Sequence, residues 1–201
     1  MIVEKGGADY SKYVELQGRK INSQRERFIR TIPKRIKKFK RFFSPVLQHI
    51  NPGRVLCLGA RTGCEVKAFI ELGFKDSVGI DLHPAQDFVL VGDWHNLQFP
   101  DNSFKNIFTN AIDHCFDLTK MINEIKRVLI PGGIFFLAVS KHQMLVNHED
   151  RELYMKQKGN NFLFWATNKD LAEVIQKFGF TLKTSIQVGK NWEYLVFKKE
   201  N

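Results

Sequence analysis

Cysteine is scarce in this chain. Its three copies, Cys57, Cys64 and Cys115, are odd in number and lack metal-ligand spacing, which argues against a disulfide framework and against a zinc module. They read as reduced thiols of a cytoplasm-like compartment. No apolar run is long enough to cross a bilayer, and no secretory signal precedes residue 20. The expected location is therefore cytoplasmic. Internal repeats and low-complexity tracts are missing too, which leaves a single globular domain as the default. Acid is nearly absent from one stretch. Arg19 to Arg41 holds eleven Lys or Arg and a single acid, Glu26, whereas the other residues balance 20 basic against 20 acidic side chains. The net charge of +10 thus belongs to one segment, and the rest of the fold is neutral.

What is present is organised around Val55 to Glu65, Val-Leu-Cys-Leu-Gly-Ala-Arg-Thr-Gly-Cys-Glu. Val55 to Leu58 is apolar enough for a strand buried on both faces. Gly59 and Gly63 frame a turn in which glycine permits a sharp bend and close approach of a ligand to the backbone. Val66, Ala68, Phe69, Ile70 and Leu72 then support a short helix that stops at Gly73. Strand, glycine turn and helix make the first unit of a nucleotide-binding α/β domain.

Before this unit, residues 1–50 form a basic helical segment expected to pack on or cap the core, with Gly6 and Gly7 making its start flexible. Phe28, Ile32, Ile36, Phe39, Phe43 and Leu47 recur at helical spacing as one apolar stripe. Tyr13, Val14 and Leu16 suggest a short helix of their own. Pro33 is expected to break or restart the longer one, and Ser44 to cap a further restart at Pro45. The basic face reads either as a solvated surface or as a site for an acidic partner, nucleic acid or a membrane surface.

Residues 51–201 form the ligand-binding domain. Further strands are expected at Ser77–Ile80, Phe88–Val91, Asn106–Thr109 and Ile134–Val139, with a helix over Leu118–Leu129 ended by Pro131-Gly132-Gly133. Residues 140–166 break the rhythm as a possible lid, with His142, His148 and the aromatics Phe162, Phe164 and Trp165. A helix capped by Thr167 runs from Asn168 to Phe178. Thr181–Val188 and Trp192–Lys198 close the chain as an antiparallel hairpin turning at Gly189-Lys190-Asn191. The alternation predicts an α/β fold, a mostly parallel Rossmann-like sheet with helices on both faces and ligand beyond the carboxyl ends of its strands.

Those strand ends carry Gly59 to Gly63, Asp81, Asp93, then Asn110 with Asp113 and His114, then Ser140. Asp81 lies near the spacing of an acid that accepts both ribose hydroxyls. Asp93 is placed to accept from an exocyclic amine of adenine, with Trp94 or His95 against the base.

Together these residues resemble the class I S-adenosylmethionine-dependent methyltransferases, from about Arg54 to Val139 and closest to the small-molecule branch. Leu58-Gly59-Ala60-Arg61-Thr62-Gly63 resembles the cofactor loop, Gly79-Ile80-Asp81 the ribose motif and Gly92-Asp93 the adenine motif. Phe99-Pro100-Asp101-Asn102-Ser103-Phe104 and Glu124 to Leu129 with Pro131-Gly132-Gly133 resemble the elements before the fourth and fifth strands. The resemblance implies a seven-stranded sheet with one reversed strand. It implies S-adenosylmethionine as cofactor, S-adenosylhomocysteine as product, and Gly59, Ala60, Arg61, Gly63, Glu65, Asp81, Leu82, Gly92, Asp93, Trp94 and Asn110 around it. Two positions depart from the pattern. Cys57 stands where the family usually has an acid for the cofactor's amino group, and Arg61 where it usually has glycine. Arg61 is a candidate for the methionine carboxylate and Glu65 for the amine; a degenerate, non-catalytic binding domain is the opposing reading.

Methyl transfer needs alignment, and a base when the acceptor is a hydroxyl. His114 is the candidate base, with Asp113 or Asp117 orienting its ring; the alternative is that Asp113 or Asp117 caps the next helix and His114 only lines the pocket. No metal site is expected. The runs Val91 to Asn96 and Thr109 to His114 resemble methyltransferases associated with polysaccharide synthesis, which implies a sugar or glycan hydroxyl as acceptor. Tyr13, Gln17, His142 and Trp165 are its candidate contacts, and the chain would be one module of a larger glycan-building protein. The competing substrate is RNA, favoured by the basic window, although no RNA-binding module and no Asn-Pro-Pro-Tyr-type motif is found.

Overall fold

Strand alternation decides how the core divides. The computed structural model describes residues 2–4, 9–140 and 163–201. Its elements are β1 (Ile2–Glu4), α1 (Tyr10–Phe43), β2 (Val55–Leu58), α2 (Cys64–Glu71), β3 (Val78–Asp81), β4 (Val89–Val91), β5 (Phe104–Thr109), α3 (Leu118–Val128), β6 (Leu129–Ser140), β7 (Leu163–Trp165), α4 (Asn168–Gln176), β8 (Phe180–Val188) and β9 (Trp192–Lys199). In β2, Val55 and Cys57 join one buried cluster, and Leu56 and Leu58 the other. The same period of two runs through β6, where Ile134, Phe136 and Ala138 lie opposite Phe135, Leu137 and Val139. The first cluster packs on α2 and the end of α1, the second on α3 and α4.

The seven-stranded sheet runs β4-β3-β2-β5-β6-β9-β8. Pairing is parallel from β4 to β6, and β9 is antiparallel to both its neighbours, so it is the one reversed strand of this sheet. The chain leaves β2 towards β3 and β4, then returns to the other side of β2 as β5. That reversal is where an open α/β sheet leaves a crevice.

The N-terminal region differs from the sequence expectation. Instead of a short helix, a break at Pro33 and a restart at Ser44, one helix of 34 residues spans Tyr10–Phe43 with Pro33 inside it. Pro33 is exposed and Ile29, four residues earlier, is 43% exposed, so the carbonyl that loses its donor faces water. Ser44 is the C-cap of this helix and not an N-cap. The far end is clamped to the sheet. The Phe43 ring stacks on Phe69 at 4.0 Å between centroids and meets Phe108 edge-on at 5.0 Å. Tyr194 donates its hydroxyl to the Phe42 carbonyl at 3.0 Å.

Pro131-Gly132-Gly133 also behaves differently. It is an irregularity inside β6, which starts directly after α3, and the register with β5 shifts between Phe104 and Asn106. A Cβ on Gly133 would come within 2.8 Å of the Ile130 carbonyl. Much of the expected lid, residues 141–162 with His142, His148 and Phe162, lies outside the described residues, as do Gly6 and Gly7. Leu163–Trp165 forms a strand that pairs antiparallel with Ile2–Glu4, an addition the sequence did not suggest.

Burial of a phenylalanine is worth about 1.5–3 kcal/mol, and truncation adds a cavity cost. Phe43→Ala should therefore destabilise the whole fold by about 3–5 kcal/mol. Urea unfolding followed by circular dichroism and tryptophan fluorescence should give coincident, shifted transitions. A loss below about 1 kcal/mol would mean that α1 is not clamped to the sheet in this way.

Candidate functional site

Beyond the carboxyl ends of β2, β3, β4 and β5 lies a pocket of about 210 Å³. Its floor comes from Gly59 to Thr62, Ile80 to Leu82, Gly92 to Trp94, and Asn110, Ala111 and His114. Its roof comes from α1, through Tyr10, Tyr13, Gln17, Phe28 and Arg35.

The floor is shaped by one carboxylate. Asp81 Oδ2 accepts the Arg61 N–H at 3.0 Å and Oδ1 accepts the His83 N–H at 2.9 Å. The acid at the end of β3 thereby fixes the loop after β2 as well as its own turn. Gly59 has φ of 74°, and a Cβ there would come within 3.2 Å of Trp94 and of Ala111, inside the pocket. Gly59 is thus a true close-approach glycine. Gly63 serves another purpose. It is the left-handed N-cap of α2 and lies outside the pocket lining, and a Cβ would strike the Phe88 ring at 2.3 Å.

Asp93 closes β4 and is held from two sides. His95 donates its backbone N–H to Oδ1 at 2.8 Å, and its ring Nδ1 sits 2.8 Å from the same oxygen. The Asp117 amide donates to His95 Nε2 at 3.2 Å, which leaves the ring proton to Nδ1. Tyr10 donates its hydroxyl to Asp93 Oδ2 at 2.8 Å. Burial works against ionisation here, but the bonds from His95 and Tyr10 outweigh it and hold the carboxyl below the usual range. Of the two residues expected against a base, Trp94 lines the pocket and His95 turns back to hold Asp93.

His114 reaches the pocket from a short 3-10 turn, Ile112–His114. Its Nε2 is 3.9 Å from Asp113 Oδ2, an ion-pair distance rather than a hydrogen bond. Asp113 is buried just behind it. Asp117 is the N-cap of α3 and accepts the Lys120 N–H at 2.9 Å, so of the two acids Asp113 is the one beside the His114 ring. The Tyr13 ring lies parallel to that of His114, with centroids 6.5 Å apart.

Of the residues named from sequence, Gly59, Ala60, Arg61, Glu65, Asp81, Leu82, Gly92, Asp93, Trp94, Asn110, His114, Tyr13 and Gln17 meet around this one pocket. Trp165 does not. It is fully buried in the cluster that contains Ile112 and Cys115, and its Nε1 donates to Asn168 at 2.9 Å. It supports the turn under His114 and has no face for an acceptor. His142 lies outside the described residues. Sequence reasoning missed Tyr10, Phe28 and Arg35. The signal lay in the apolar stripe of α1, which includes Phe28, had it been read as one helix from Tyr10. Among the described residues no group of three His, Cys, Asp or Glu is arranged to hold a metal ion.

The methyltransferase domain model matches residues 56–137, the stretch that builds β2 to β6 and the pocket floor. A methyltransferase of 17% identity, solved in complex with the Haloferax volcanii Trm112 methyltransferase activator, superposes with a TM-score of 0.70 over 92% of this chain and 97% of that one. The fold is that of the class I methyltransferases. Burkholderia thailandensis 1,6-didemethyltoxoflavin-N1-methyltransferase, solved with 1,6-didemethyltoxoflavin and S-adenosylhomocysteine, superposes at 0.67 with 18% identity, over 99% of this chain and 94% of that one. By sequence, malonyl-[acyl-carrier protein] O-methyltransferase of Halorhodospira halophila is 32% identical over 104 residues, 44% of this chain. That match spans 35% of the relative's length.

Within this methyltransferase fold two buried polar atoms of the pocket have no partner, Arg61 Nε and Glu65 Oε2. Arg61 spends another nitrogen, Nη2, on Gln17 Oε1 at 2.8 Å. Glu65 is 5% exposed, and burial pushes its carboxyl up to about 7, with Arg35 and Arg61 pulling the other way. Because the folded value lies above the ordinary 4.5, the neutral acid is the form the fold prefers. Stability is fully present below about 4.5 and is lost as pH rises towards about 7. Glu65→Gln removes the charge and should gain stability over the parent as pH rises from 5 to 8, on the order of 2 kcal/mol. Thermal unfolding of both proteins across that range checks this, and parallel curves would contradict it.

Proposed function

We propose that this protein is an S-adenosylmethionine-dependent methyltransferase acting on a small polar acceptor, with a sugar hydroxyl as the first candidate. The observation that carries the reading is the presence of two buried polar atoms without partners, Arg61 Nε and Glu65 Oε2, in a pocket that also contains Asp81. An amino-acid zwitterion satisfies both charges. Arg61 would take its carboxylate, Glu65 its ammonium, and Asp81, whose oxygens each retain a lone pair, the ribose hydroxyls. Asp93, Trp94 and Leu82 would face the adenine. When bound, the cofactor supplies a methyl group already activated on a sulfonium. The chain's own part is then to orient the acceptor and remove its proton. His114, with Asp113 3.9 Å from its ring, would accept that proton.

The roof favours a small acceptor over a strand of RNA. Tyr10, Tyr13 and Gln17 cover the mouth, and α1 is tied to the floor by Tyr10 to Asp93, Gln17 to Arg61 and the Val14 carbonyl to His83 at 2.7 Å.

Asp81→Ala should weaken S-adenosylhomocysteine binding at least tenfold by calorimetry, since it removes an acceptor and one of the bonds that hold the Arg61 loop; unchanged affinity removes the cofactor assignment. His114→Ala should cost about two to four decades in kcat with cofactor affinity retained. A loss under threefold would leave His114 as mere lining. Labelled methyl transfer to a panel of glycosides, sugar phosphates and RNA tests the acceptor class.

A further inference from the structure

Gln17 is a polar residue on a buried face. Tyr13, Gln17 and Ile21 recur every four residues on α1 and are all buried, while Leu16 beside them is 52% exposed. An amide at 3% exposure between a tyrosine and an isoleucine costs free energy unless it is paired. Its partner is Arg61, whose Nη2 donates to Gln17 Oε1 at 2.8 Å. The next residue is Gly18, where a Cβ would come within 3.0 Å of the His83 ring. Glycine is otherwise unfavourable in the middle of a helix, and here it lets α1 come close to the loop after β3. Two consecutive positions of α1 thus meet the loops after β2 and β3.

A guanidinium is planar, so a bond to one of its nitrogens limits its rotation and sets the direction of its other N–H groups. Among the described residues Arg61 Nε, buried in the pocket, has no partner. Nη2 carries two hydrogens, and Gln17 accepts one of them. The group is therefore held by one nitrogen and retains donors for a planar acceptor with two oxygens. We infer that Gln17 is a positioning residue of the cofactor site, which holds the Arg61 guanidinium in the orientation that receives the α-carboxylate of an amino-acid nucleoside. The inference rests on Arg61 being the group that takes that carboxylate. Gln17 carries no charge. A neutral acceptor orients the guanidinium and leaves its positive charge to the ligand, whereas a carboxylate at the same place would neutralise it. An apolar side chain would leave the guanidinium free to turn. Selectivity for a nucleoside that bears an amino acid then comes in part from α1 and not from the sheet alone.

The test uses the intact protein and two nucleosides titrated calorimetrically. One is S-adenosylhomocysteine; the other is 5′-methylthioadenosine, which keeps the adenosine and the thioether but lacks the carboxylate and the ammonium. Gln17→Leu should weaken S-adenosylhomocysteine binding about tenfold or more and methylthioadenosine binding less than about threefold, in keeping with one hydrogen bond to a charged group. Gln17→Glu keeps a bond to Arg61 and should show the same selective loss, because the ligand's carboxylate then meets a neutralised guanidinium and a like charge. Arg61→Leu should behave in the same way. Equal losses of both nucleosides in Gln17→Leu would overturn the proposal, since Gln17 would then only fasten α1. Unchanged S-adenosylhomocysteine affinity in Gln17→Glu would overturn it as well. An unchanged ratio of the two affinities in Arg61→Leu would remove the role of Arg61, and that of Gln17 with it, while the cofactor assignment stood. Absent binding of both nucleosides by the parent protein would remove the methyltransferase reading itself along with the role of Gln17.

Discussion

The Asp81 carboxylate is the constraint on which the pocket depends. Each of its oxygens accepts one backbone N–H, from Arg61 and from His83, so a single side chain ties the turn after β2 to the turn after β3. A carboxylate that accepts two amides is fixed in place, and each of its oxygens keeps a further lone pair. Beside it the Arg61 loop is held by two backbone bonds, from the Ala60 N–H to the Ile80 carbonyl at 2.9 Å and from the Ala85 N–H to the Arg61 carbonyl at 2.7 Å. The same atom set therefore holds the two loops together and lines the pocket at the switch point of the sheet, where on the proposed reading it would also meet the ligand.

The second constraint is the length of α1. At 34 residues it reaches from the rings around Phe43, on one face of the sheet, to the mouth of the pocket at Tyr10. Its aromatic end is immobilised in the core. Its other end rests on the floor through Tyr10, Val14 and Gln17, each bonded to a different strand-end loop. Three polar bonds to partly exposed groups are each worth about 0.5–1.5 kcal/mol, less than the aromatic packing at the other end. The helix is thus held at both ends, by aromatic packing at its carboxyl end and by the buried Tyr13, Gln17 and Ile21 with these polar bonds at its amino end.

Most of the fold was legible because period-two apolar strands and glycine turns are local signals. The strand ends could be read in register from Gly59, Asp81, Asp93 and Asn110, and all four meet around the pocket. What failed was less local. Pro33 looks like a helix breaker, but its cost falls on a carbonyl that faces water, and the rings of Phe39 and Phe43 hold the helix through it. Trp165 looked like an acceptor contact because aromatics in an irregular stretch suggest a ligand; burial on β7 beneath the Ile112 turn has no signature in the sequence. Tyr10 was overlooked because nothing in its neighbours says that its hydroxyl meets Asp93, 83 residues away. The elements flanking β5 show the opposite case. Arg127 joins Glu124, Asp101 and the carbonyls of Leu97 and Phe99, so two segments that resemble family elements side by side in sequence are clipped together in space.

Cys57 shows how the site manages without the acid that the resemblance would place there. Its thiol is fully buried in β2, and burial, reinforced by Glu65, pushes its ionisation well upward, so it offers no charge to a ligand. On the proposed reading, Glu65 would supply the charge from the first turn of α2 instead, once a ligand cation draws its carboxyl down. A carboxylate on a strand buried on both faces would be solvated only by what it binds. At the N-terminal turn of a helix it gains the favourable end of the dipole and lies near Arg35 and Arg61. Those cations lower the cost of ionising it, and an arriving ammonium would lower it further. The relocation also explains Arg61. Where the pattern has glycine, this chain has a guanidinium that pulls the Glu65 carboxyl down against burial, and on the proposed reading it would serve as counter-charge until the ligand brings one.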